Sequence, residues 1–244
     1  RDRLRSRGLG DVYKRQTVHA VVAPEQHSIT LEYKINDATE TRTAYLFLQH
    51  ESEETEPVRV TITQKGKSDV NSTIYEDVET GPMLYSRVEV MANNDWRDYP
   101  FVQWTLTLYT DGLTYNNKTW ARWEGSGERM RILLLGSPQH EDDVKLEEMT
   151  YEIVPYDEYN KQPLTDRQPG WACGSRGDGK TVLYPSGTWY QVIEAGKATQ
   201  WASAESGTIT VSKNGDDYTV SWDLTSDAGC KVTGSYTGPI DIIL

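Results

Sequence analysis

The stretch "GTITVSKNGDDYTVSWDL", residues 207–224, decides how the chain folds. In its second half Tyr218, Val220, Trp222 and Leu224 fall on one face, with Thr219, Ser221 and Asp223 between them. A side-chain period of two marks a β-strand with one packed face and one wet face, the habit of antiparallel sheets. "GTITVS" and "DYTVSWDL" flank "KNGD", whose Asn-Gly pair tolerates the positive φ of a tight hairpin turn. "SDAG" then turns into "CKVTGSYTG", which places Cys230, Val232 and Tyr236 on the same side as the strand before.

The same period recurs outward from this hairpin. "SITLEYKI" sets Ile29, Leu31, Tyr33 and Ile35 against Thr30, Glu32 and Lys34. "AYLFLQ" and "PVRVTITQ" follow, joined by the charged "HESEETEP". After an aperiodic polar stretch come "LYSRVEVM", "FVQWTLTLY" with its "TDG" turn, "RMRILLL", "MTYEIV" and "GTWYQVI". No segment carries a helical stripe, and "EDDVKLEEM" offers one short helical turn at most. Many short strands between turns predict an all-β protein of antiparallel β-sandwich modules, in preference to a closed barrel. The domains expected are a small β module over 17–66, a linker over 67–80 and a larger β-sandwich over 81–244.

Residues 1–16, "RDRLRSRGLGDVYKRQ", differ in kind. They hold six Lys/Arg and two acids, whereas the other 228 residues hold 19 Lys/Arg and 35 Asp/Glu. The string lacks the apolar core of a secretory signal. It resembles the translated read-through of a sequencing adapter, most of all in "DVYKRQ", and is set aside from the fold. The natural sequence is then expected to start near Thr17, with any leader and lipid anchor lost by truncation.

The net charge of −12 argues against a nucleic-acid partner, because phosphates would be repelled. No apolar run of membrane-spanning length occurs. The two cysteines, Cys173 and Cys230, have no metal-ligand spacing, and a single disulfide between them is one pairing open in an oxidising compartment. The 15 Tyr and 8 Trp outnumber the 2 Phe, a bias toward rings with a polar handle that suits half-exposed positions and stacking on sugars as well as ordinary strands.

Two regions resemble known families. Residues 27–66, through Asn36, Arg42 opening an apolar strand and the terminal "VTITQ" with Gln64, resemble the second half of a BACON domain. The BACON family comprises immunoglobulin-like modules of Bacteroidetes surface and secreted proteins. Residues 81–244, through "GTITVSKNGDDYTVSWDLTSDAGCKVTGSYTGPI" and more weakly "WTLTLYTDG" and "GTWYQV", resemble the C-terminal β-domain of surface lipoproteins from the same phylum. These resemblances imply export, cell-surface or outer-membrane exposure and glycan binding, and they carry no catalytic residues.

The residues themselves point away from catalysis. His19, His27, His50 and His140 are scattered, and "GWACGS" around Cys173 has no histidine after it. The pairs Asp95/Asp98, Asp142/Asp143, Glu147/Glu148 and Asp216/Asp217 read as charged turns. "RGD" at 176–178 is a three-residue match of the size chance supplies. Trp104 and Trp222 lie in register with aliphatic neighbours and are expected in the core. Trp96, Trp120, Trp123 and Trp171 sit in polar or glycine-rich stretches, where a rigid β scaffold displays functional loops. They are the expected sugar-stacking residues, with Asp95 and Tyr115 as polar companions. The reading is a non-enzymatic binding protein for extracellular glycans, with no cofactor. A structural spacer, or an accessory part of a secreted glycoside hydrolase or peptidase, is the competing reading.

Overall fold

A computed structural model describes residues 19–23, 28–32, 36, 38–48, 56, 58–94, 96, 98–116, 122–177, 179–180, 186–240 and 242–243. The adapter-like segment 1–16 lies outside the described residues, as do Asp95, Trp120 and Asp178 of the "RGD" triplet. Strands account for 57% of the structure and helices for 7%, so the protein is all-β. The chain divides into two compact units, Arg1–Val70 and Asn71–Leu244.

In the first unit β1 (His19–Ala23) pairs antiparallel with β2 (Ser28–Glu32), and β3 (Arg42–Leu48) with β4 (Val58–Gln64). Asn36, only 4% exposed, locks the open end of the second hairpin. Its amide donates to the carbonyls of Glu40 (2.8 Å), Lys65 (3.1 Å) and Gln64 (3.3 Å), while Arg42 Nε donates to Gln64 Oε1 at 2.5 Å. Tyr45 and Phe47 on one face of this hairpin, and Val58 and Val60 on the other, are exposed.

The second unit runs β5 (Val78–Glu79), β6 (Tyr85–Met91), β7 (Val102–Tyr109), β8 (Leu113–Asn116), β9 (Arg122–Gly125) and β10 (Gly127–Gly136). It continues through β11 (Thr150–Val154), the short helix α1 (Tyr156–Lys161), β12 (Trp171–Cys173), β13 (Trp189–Glu194), β14 (Lys197–Asn214), β15 (Asp217–Ser226), β16 (Lys231–Gly238) and β17 (Ile242–Ile243). All but β8 and β9 join one 11-stranded sheet, in the order β17-β6-β7-β10-β12-β11-β14-β15-β16-β5, with β13 bridging β10 and β14. The ends of this path meet. β5 lies on β16, Met83 bridges Tyr236, and the same chain enters β6; β16 leads on to β17, which lies on β6.

The all-β class is as expected, and the strands of this unit form one continuous sheet whose two end strands are tied to it through chain connections. Alternation turns an apolar face inward in a sandwich and in a barrel alike. Inside lie Val88, Trp104, Leu106, Leu108, Met130, Ile132, Leu134, Ile209, Val220, Trp222 and Val232, all at 3% exposure or less. Each such side chain contributes ~1.5–3 kcal/mol by leaving water.

Part of the expected linker belongs to this unit. Thr73 exchanges hydrogen bonds with Trp201, its N–H to the carbonyl and its Oγ1 from the backbone N–H, both at 2.9 Å. Ser72 Oγ donates to Asp227 Oδ1 at 2.5 Å, and Val78–Glu79 adds a strand. These are backbone and hydroxyl contacts, which leave no hydrophobic period to read. The turns also shift by a residue. In "KNGD" only Gly215 has positive φ (+64°), at the first central position, the type II′ arrangement. The β13–β14 turn puts both Ala195 (φ +47°) and Gly196 (φ +74°) in the left-handed region, the type I′ arrangement without its usual asparagine.

Candidate functional site

The outward face of β6, β7 and β10 holds the other half of the alternating residues. Register aligns them in rows across the strands. Tyr85, Tyr109, Arg129 and Gln191 form one row; Arg87, Thr107, Arg131 and Trp189 the next; Glu89, Thr105 and Leu133 the third. Cross-strand neighbours of this kind sit within side-chain reach.

A hairpin roofs the first two rows. β8 and β9 pair antiparallel, Tyr115 opposite Trp123, and Asn116 donates to Glu124 Oε1 at 2.9 Å. Trp123 packs with Leu113 and Ile193 and meets Tyr109 edge-on at 5.0 Å. Gly196 N–H donates to the Gly125 carbonyl at 2.9 Å, and Ala195 N–H to Ser126 Oγ at 3.1 Å, so the neighbouring turn holds the roof down.

Each roof ring sits against an arginine. The Arg87 guanidinium lies 4.2 Å from the Tyr115 centroid, and that of Arg129 lies 5.0 Å from the Trp123 centroid. Such contacts are worth ~0.5–2 kcal/mol and keep a guanidinium in a fixed plane. Arg129 is 2% exposed and donates to Gln191 Oε1 through Nε (3.1 Å) and Nη2. Gln191 in turn donates to the Gly179 carbonyl at 2.5 Å. Arg131 donates to the Gly187 carbonyl, and Arg87 Nη1 pairs with Glu89 Oε1 at 2.5 Å. Burial, then the neighbouring Arg131 charge, pushes Arg129 down to about 9; burial also lowers Arg131, against the pull of Glu89.

Between roof and sheet lies a cavity of about 30 Å³, lined by Arg87, Glu89, Thr105, Thr107, Tyr115, Trp123, Arg129 and Arg131. That is room for roughly two waters or one small polar group. The lining has three guanidiniums and one carboxylate, in a chain whose net charge is −12.

Two of the six expected site residues, Tyr115 and Trp123, meet at this cavity. Trp123 is on a strand and 5% exposed, because its ring is enclosed by Arg129, Tyr109 and Tyr115; it is not an open loop platform. Trp171 opens β12 and packs half-buried against the cluster of Phe101, Leu133, Leu135, Tyr159 and Cys173. Trp96 alone of the described loop indoles is displayed, at 93% exposure, away from the cavity lining. Asp95 and Trp120 are outside the described residues.

The disulfide reading is corrected. Cys173 and Cys230 are free, buried thiols; Cys173 sits among Phe101 and Tyr159, whereas Cys230 Sγ is 3.2 Å from the Ile74 carbonyl. Burial pushes the Cys173 thiol up to about 12. Sequence reasoning missed Arg87, Glu89, Thr105, Thr107, Arg129 and Arg131, which fall at the wet phase of their strands. The available signal was the long aromatic "LTYNNKTWARWEG" insertion between two strands, enough chain to fold back over them.

No protein-family model matches the chain, nor does any curated protein or solved structure.

Proposed function

We propose that this chain is a non-enzymatic, cell-surface binding module whose ligand is an extracellular glycan. The observation that carries the reading is the roofed cavity on an otherwise ordinary outer sheet face, with a half-exposed ring beside it. Tyr85, 45% exposed, stacks on Tyr109 at 5.4 Å and 28°, and Tyr109 touches Trp123. An open ring next to fixed polar groups suits a saccharide: the C–H face packs on the ring, and the hydroxyls meet Thr105, Thr107 and the guanidiniums.

The test is tryptophan fluorescence titrated with plant, mucin and microbial glycans, on the wild type and on Tyr85→Ala. Saturable quenching is expected with at least one class, because Trp123 lines the cavity. Tyr85→Ala should weaken it about tenfold, the scale of a contact ring that matters. A flat wild-type response across all three panels would leave the spacer reading standing instead.

A further inference from the structure

We infer that the cavity selects an oxyanion, the carboxylate of an acidic sugar or a sulfate ester, so that the ligand of this site is an acidic glycan. The inference rests on the glycan reading above and narrows it.

The lining is the argument. Three guanidiniums converge on one small cavity, against a single carboxylate among the described lining residues, Glu89, which pairs with Arg87 at 2.5 Å. Arg129 and Arg131 point into the same space from one strand, two residues apart on one face. The Arg131 charge adds to burial in disfavouring the charged form of Arg129, and an anion seated between the two interacts favourably with both. A guanidinium fork also matches the two oxygens of a carboxylate or sulfate in shape.

The surrounding contacts fix the forks in place before any ligand arrives. Gln191, fully buried, holds the Arg129 head from one side, and the Trp123 ring covers another. The Gly187 carbonyl holds Arg131, and Tyr115 backs Arg87. Gly187 itself takes φ +83°, and a Cβ there would run into the Gly174 carbonyl, so the backbone that carries this acceptor is set by glycine. Thr105 and Thr107 add hydroxyls on the sheet side of the cavity, able to donate to a third oxygen. Pre-set donors of this kind lose little freedom on binding. The acidic remainder of the chain disfavours loose collection of anions elsewhere on the surface, which makes the cavity the distinctive place for one.

Calorimetric titration with matched pairs tests this. Oligogalacturonates are compared with their methyl esters, and sulfated with desulfated glycosaminoglycan fragments. Sodium acetate and sodium sulfate are titrated alone. One acidic member should bind at least about tenfold tighter than its neutral partner, the worth of one charge-assisted hydrogen bond. Which pair shows the gap tells carboxylate from sulfate.

Arg131→Met should erase the preference. Arg87→Gln, at the rim, should reduce it by a smaller factor and folds whatever Arg131→Met does. Thr107→Leu fills the cavity without changing any charge and should also abolish the preference. Trp96→Ala should leave it intact. Equal binding of acidic and neutral partners overturns the inference and leaves the glycan reading in place. Binding of acetate or sulfate with no saccharide bound overturns the glycan reading and keeps the anion site. Silence from every ligand overturns both.

Discussion

The two faces of β6, β7 and β10 are built from the same three strands and differ only in which alternate residues they carry. Inward, Val88, Trp104, Leu106, Leu108, Met130, Ile132 and Leu134 fill a closed space and are all fully buried. Outward, Thr107 and Arg129 are buried and Arg87, Thr105 and Arg131 partly so, beside a hairpin that stops short of filling the gap, while Glu89 at its edge is exposed. The first face is what a sheet needs in order to fold. The second face needs no roof for folding, since polar side chains are at ease in water. Roofing charged side chains costs desolvation, and that cost sets the outward face apart from the inward one.

The largest effect that would break this comparison is on stability. Trp104→Ala, on the inward face, should cost ~3–5 kcal/mol by leaving a cavity, whereas Arg131→Met, on the same sheet's outward face, should cost ~1 kcal/mol or raise stability. Urea unfolding of the two variants decides it, and equal losses would make the outward face an ordinary core.

Alkaline pH separates the faces next. Burial raises Tyr151 and Tyr190 and pushes Tyr159 and Cys173 up to about 12. The unfolded chain releases those protons nearer the ordinary values of 10 and 9, so their stabilisation is complete below pH 9 and drains away as pH climbs toward 12. Arg129 runs the other way. Its folded value of about 9 lies below the ordinary 12.5, so its burial penalty is full below pH 9 and fades above it. Wild-type stability should fall between pH 9 and 11, and Arg129→Met should fall more steeply, having lost the opposing group. A matching slope in both would show that Arg129 carries no buried charge. Binding of an acidic ligand should weaken over the same interval as Arg129 loses its proton, with Arg87, Arg131, Glu89, Tyr109 and Tyr115 as the other titratable neighbours.

A third contrast concerns the thiols. Cys173 should react with a disulfide reagent only as the fold opens, since its thiolate is suppressed by burial. Rapid labelling of the native protein would contradict the packing of its cluster. The smallest effect belongs to the turn that holds the roof. Ala195→Gly relieves a left-handed alanine and should raise stability by ~0.5–1 kcal/mol in thermal unfolding.

Much of the second unit's inward face was legible in the sequence, because the period of two in "FVQWTLTLY", "RMRILLL" and "DYTVSWDL" shows directly which residues face away from water. The pairing that sets β5 on β16 was not, since it rests on three backbone pairings, and β5 has only two residues, too few to show a period. For the site, sequence reasoning found the roof rings and missed the floor. Tyr115 and Trp123 stood out as rings in a polar insertion. Arg129 and Arg131 looked like solvated charges, because a strand's wet phase does not reveal that a distant hairpin will cover it. β9 itself has only four residues, too few to show a period, so Trp123 looked like a loop tip.

The most direct test is a crystal structure of the protein with the acidic oligosaccharide that binds best in calorimetry. The account predicts the ligand's carboxylate or sulfate between Arg129 and Arg131 under the Trp123 ring, with a sugar face on Tyr85. An anionic group lodged elsewhere, at Trp96 for instance, with the cavity holding only water, would contradict it.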